Sequence, residues 1–113
     1  MANGKIKQTI GAPQAITSSI TNANLTPYGN SYFVKQGHIC TLNFQGNATA
    51  EISAGNALIS LPSSYKPKDT IYFWGYYNGG WHEFYLTTSA QIASHSDAIP
   101  SGATVEINLS FVS

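Results

Sequence analysis

Arginine is absent from this 113-residue chain, and charge of either sign is scarce. Five lysines balance five acidic residues, a charged fraction of 9%, against roughly 25% in ordinary soluble domains. Nucleic-acid affinity rests on a basic face that neutralises phosphates. The only basic clusters, Lys5/Lys7 and Lys66/Lys68, are too small to make one, so no nucleic-acid partner is expected. The lone cysteine, Cys40, excludes an internal disulfide and a multi-cysteine metal site. No apolar run approaches the roughly 20 residues of a membrane-spanning helix, so membrane insertion is not expected. Met1–Lys7 lacks the apolar core of a signal peptide.

What is present is polar without being charged: serine, threonine, asparagine, glutamine and glycine. Aromatics reach 12%, which separates the chain from disordered sequences, poor in rings and rich in charge. The length fits one domain. Residues 1–13 carry no periodicity and are expected to form a linker or arm, with 14–113 as the folded head.

Strand signals dominate that head. Val105, Ile107, Leu109 and Phe111 alternate with Thr104, Glu106, Asn108 and Ser110, a period of two that buries one face and wets the other. Cys40, Leu42 and Phe44 alternate likewise with Thr41, Asn43 and Gln45. Ser31–Gln36 reads as a strand closed by Gly37. A bend is expected at Gln45-Gly46-Asn47, then a further alternation through Ala48, Ala50 and Ile52. Ala57–Leu61 predicts a short strand. The Pro62–Pro67 stretch, with two prolines and two serines, predicts an ordered loop without a regular element. Thr70–Tyr77 and Trp81–Thr88 predict a hairpin closed by Asn78-Gly79-Gly80, because Asn-Gly is the strongest short hairpin signal. A short strand over Ile92–Ser94 and a turn at Ile99–Gly102 complete the pattern. About eight short strands predict an all-β, antiparallel fold, a β-sandwich or a jelly roll.

The hairpin concentrates rings. Residues two apart on a strand share a face, so Tyr72, Trp74 and Tyr76 form one predicted platform. Ile71, Phe73 and Tyr77 face the other way, with Phe84 and Leu86 in the core. A ring offers a flat apolar face, and tyrosine and tryptophan add a polar tip; sugars present C–H faces that stack on such rings. The expected ligand contacts are Trp74, Tyr76, Asn78, Trp81 and His82. Because Ile71–Tyr77 is apolar on both faces, burial on two sides is expected, the second side being a subunit contact.

Chemistry is weakly signalled. Glycoside hydrolysis needs two facing carboxylates, and Glu51, Asp69, Glu83, Asp97 and Glu106 all fall on polar strand faces or turns. His82 and Glu83 are adjacent and should point to opposite faces, whereas His95 and Asp97 would share one if extended. Ser94-His95-Ser96-Asp97 holds triad residue types too close in sequence for triad geometry. Cys40, between Ile39 and Leu42, reads as a small buried residue. Three sequons, at Asn24, Asn47 and Asn108, are what a chain rich in these residues supplies by chance. No catalytic residue, metal or cofactor is expected.

The segment Leu61-Pro62-Ser63-Ser64-Tyr65-Lys66-Pro67, the later Leu86-Thr87-Thr88-Ser89-Ala90-Gln91-Ile92 and the closing strand Gly102–Val112 together resemble the C-terminal head domains of phage tail-fibre and baseplate receptor-binding proteins. Ser64 and Ala90 stand where those heads usually carry glycine, and Lys66 where they carry arginine. The resemblance implies a homotrimeric jelly-roll-like head that binds a bacterial cell-surface saccharide and resides in the virion. An assembly role in a tail or baseplate, without glycan binding, is the alternative.

Overall fold

The strictest alternation in the sequence becomes the centre of the sheet. The computed structural model describes residues 12–113, so the expected arm lies almost wholly outside the described residues. Among the described residues nine strands run β1 (Gln14–Ala15), β2 (Leu25–Pro27), β3 (Tyr32–Gln36), β4 (Ile39–Ala48), β5 (Ala57–Ser60), β6 (Ile71–Tyr77), β7 (Gly80–Leu86), β8 (Gln91–Ser94) and β9 (Thr104–Val112). Every pairing is antiparallel, in the order β1-β3-β4-β9-β6-β7-β8-β5, with β2 beside β4. No α-helix occurs among the described residues. The all-β antiparallel class follows from the sequence as expected.

The sheet curls so that its two halves enclose one core. Cys40, Leu42 and Phe44 of β4 and Val105, Ile107, Leu109 and Phe111 of β9 point inward from one half. Phe84, Leu86 and Ile92 point inward from the other. The halves are joined through only two residue pairs, Tyr76↔Glu106 and Tyr77↔Val105. Beyond them β9 continues along β4 while β6 continues along β7, so the sheet forks.

Three expectations need correction. Gln45-Gly46-Asn47 does not bend the chain: β4 runs unbroken to Ala48, pairing Gly46 with Pro27 on one side and Val105 on the other. Gly46 is there for space, since a Cβ would lie 2.4 Å from Phe44 Cζ. The alternation after Ala48 does not extend β4. Ala48 N–H turns to Ala103 and Thr49 N–H to Asn24, leaving only the isolated Ile52↔Ile99 bridge. The proline-serine loop contains one regular turn, a 3-10 helix over Ser63–Tyr65. That loop is held as an ordered strap. Tyr65 is buried with its ring edge-on to Phe33 at 5.1 Å, and Lys35 Nζ and Ser113 Oγ both donate to the Ser64 carbonyl at 2.7 Å.

The turn Asn78-Gly79 has φ of 50° and 77°, the positive values of a type I′ hairpin turn. Gly75 plays a different part. A methyl group there would lie 2.4 Å from Phe84 Cε1, and Phe84 is itself stacked against Phe73. Gly75→Ala is therefore expected to destabilise by about 1–3 kcal/mol through overpacking. Urea unfolding should show it as a lowered midpoint with an unchanged slope.

Cys40 is fully buried, as the sequence suggested. Burial pushes its thiol pKa up, against weaker lowering by Lys35 and Ser113. Burial likewise raises the Tyr65 and Tyr77 phenols, with Cys40 and Asp97 respectively adding to the effect and Ser94 opposing it at Tyr77. All three acids are held neutral by the fold, so their stabilising contribution is complete below the ordinary values of 9.0 and 10.0 and is lost as pH climbs through and past them. The urea midpoint should fall above pH 9, and a thiol reagent should label Cys40 only on unfolding.

Candidate functional site

Strand register assembles the site. Gln45 pairs with Glu106, Glu106 with Tyr76, and Tyr76 with Trp81. Paired residues project to the same side of a sheet, so these four form one outward row across β4, β9, β6 and β7. At about 4.8 Å per strand the row spans roughly 14 Å. One step along, Asn43 pairs with Asn108 on one branch of the fork and Trp74 with Glu83 on the other.

An open groove of about 480 Å³ occupies this fork. Trp74, Tyr76 and Trp81 line one flank, and Asn43, Gln45, Glu106 and Asn108 the other, with Phe44 and Ile107 also contributing. Trp74 is 63% exposed and Trp81 69%. Trp81 stands edge-on to Tyr76, ring centroids 5.3 Å apart. On the polar flank Asn108 Nδ2 donates to Asn43 Oδ1 at 3.1 Å, and Asn43 Nδ2 to the Asn30 carbonyl at 2.9 Å. That chain fixes both amides before any ligand arrives. Among the described residues Glu106 is the one carboxylate lining the groove, and no lysine or histidine lines it.

The predicted platform of Tyr72, Trp74 and Tyr76 is on one face, with Ile71, Phe73 and Tyr77 turned to the core. The expected burial on both faces is not found within the chain: Tyr72 is 56% exposed. Of the five expected contacts, Trp74, Tyr76 and Trp81 meet in the groove. Asn78 does not; it sits exposed in the turn, its backbone set by the type I′ geometry. His82 is also displaced. It pairs with Gly75 and takes the opposite face from Trp81, lying flat on Tyr77 at 3.7 Å with its Nδ1 3.1 Å from Asp97 Oδ2. Strand alternation alone forbids Trp81 and His82 from sharing a surface.

The other acid–histidine groupings are spent on packing. Glu83 Oε1 bonds His95 Nδ1 at 2.6 Å, and the His95 ring meets Tyr72 and Tyr85 edge-on. His95 and Asp97 are thus not joined to each other: each is bound to a different residue of β7. Ser94 Oγ donates to the Asp97 carbonyl, not to a histidine. No group of three or more potential metal ligands occurs among the described residues.

Four further residues line the groove that no local sequence motif marks: Glu106, Asn108, Asn43 and Gln45. Their signal was present as the wet face of two alternating strands, but nothing local placed β9 beside β6. The chain matches no protein-family model and no curated protein.

Proposed function

We propose that this domain is a host-attachment head from a phage tail fibre or baseplate, which holds a bacterial surface saccharide in the groove at the sheet fork. The observation that carries the reading is the pair of indoles, Trp74 and Trp81, standing mostly exposed beside a pre-set row of amides and a carboxylate. Exposed rings with polar groups alongside suit a ligand that has both C–H faces and hydroxyls. The sparsely charged composition and the resemblance of the Leu61–Pro67 strap support the same reading. So does Ala90, whose φ of 64° is the left-handed conformation that glycine, usual at this position in those heads, adopts without strain. Three copies around an axis would convert weak single-site affinity into avidity, and the particle would be released by host lysis.

A second reading is favoured by the same exposed rings. In a tail assembly a neighbouring copy would cover Tyr72, Trp74 and Trp81, and the domain would serve only to trimerise. Light scattering and a bacterial glycan array separate the two. A trimer that binds glycans through Trp74 and Trp81 supports attachment. A trimer that binds none, with both indoles shielded from fluorescence quenchers, supports assembly.

A further inference from the structure

Resting on the glycan reading, the charge of the groove limits what can enter it. Among the described residues its lining holds one carboxylate, Glu106, and no cationic side chain. Glu106 forms no ion pair among the described residues: the two ion pairs are His82–Asp97 and His95–Glu83. Lys35 is engaged elsewhere, at the Ser64 carbonyl. Glu106 stands in register between Gln45 and Tyr76, so its carboxylate lies in the middle of the outward row.

We infer that the groove takes a non-anionic glycan, with Glu106 accepting hydrogen bonds from ring hydroxyls or an amino group while Trp74 and Trp81 stack on the sugar. An ionised carboxylate only accepts, and hydroxyl and ammonium donors satisfy it. A uronate or phosphate would bring a second negative charge to within a few ångströms, with no lysine among the described lining residues to offset it. Such like-charge contacts are disfavoured in a partly desolvated site. The asparagine amides offset that bias only weakly, because they are uncharged and each Nδ2 already commits one of its two N–H donors, Asn108 to Asn43 Oδ1 and Asn43 to the Asn30 carbonyl. The domain therefore discriminates among bacterial surfaces by charge: neutral and amino-bearing polysaccharides are ligands, while polyphosphate-backbone polymers and uronate capsules are not.

The test is an array of bacterial glycans in neutral, amino-bearing and acidic sets, probed with the wild type, Glu106→Gln and Trp74→Ala. Wild-type hits confined to the neutral and amino sets, and weakened by Trp74→Ala, are expected. For an amino-bearing hit, Glu106→Gln should lower affinity on the order of tenfold at low ionic strength and by less at about 0.15 M salt. Acidic members should gain in the same variant. Acidic glycans bound by the wild type and lost in Trp74→Ala would overturn this inference and leave the attachment reading intact. An array with no hits, or hits indifferent to Trp74→Ala, would overturn both.

Discussion

Phe84→Ala is expected to lower stability by about 3–5 kcal/mol. The ring is fully buried in the middle of β7. It stacks on Phe73 at 5.9 Å and meets Tyr77 edge-on at 6.1 Å, and its edge occupies the space left by the missing side chain of Gly75. Removing it leaves a void that the structure cannot close cheaply. Strand β7 is pinned on both sides, by β6 and by β8, and sheet backbones held by paired hydrogen bonds shift little. Domains of this size have only about 5–15 kcal/mol in hand, so the variant should be marginal at room temperature. Phe84→Leu, which keeps most of the volume, should cost much less. Urea unfolding followed by circular dichroism reads both. A Phe84→Ala midpoint close to the wild type would mean that the core is not organised around this ring.

Trp74→Ala combined with Trp81→Ala should have the opposite profile: stability within about 1 kcal/mol of the wild type, and glycan binding lost. Both indoles are mainly solvent-exposed, and exposed positions contribute little to folding. Trp81 gives up only its edge contact with Tyr76. In recognition, tryptophans of this kind are hot spots, each worth about 2 kcal/mol or more on truncation, roughly thirtyfold in affinity apiece. Titration calorimetry against the best array hit, with unfolding curves on the same samples, checks the separation. Retained binding in a folded double variant would remove the groove from consideration.

Elements that announce themselves locally were legible in the sequence. The alternation of Val105–Phe111, the Asn78-Gly79 turn and the inward set of Phe84 and Leu86 need only side-chain period and turn chemistry. Gly46 misled because glycine inside a strand is ambiguous: it can mark a bend or a close approach, and only the position of the Phe44 ring decides which. Strand β2, three residues long, has too few positions to show a period. Half of the groove was legible, since Trp74, Tyr76 and Trp81 sit on one hairpin. The other half depends on the pairing of Tyr76 with Glu106, thirty positions later in the chain, which no local pattern encodes. His82 lies on the face opposite Trp81 for a plainer reason. Neighbours in a strand point to opposite sides, however close they are in sequence.

The placement of β9 has a consequence for how this domain comes into being. It is last in chain order yet lies between β4 and β6, and it supplies four inward side chains to the core. While the polypeptide is still emerging from the ribosome, β4 and β6 each lack a neighbour, and their apolar faces stay uncovered. The sheet is therefore expected to close only once β9 is available, and a chain truncated before β9 is expected to expose two bare strand edges and to aggregate.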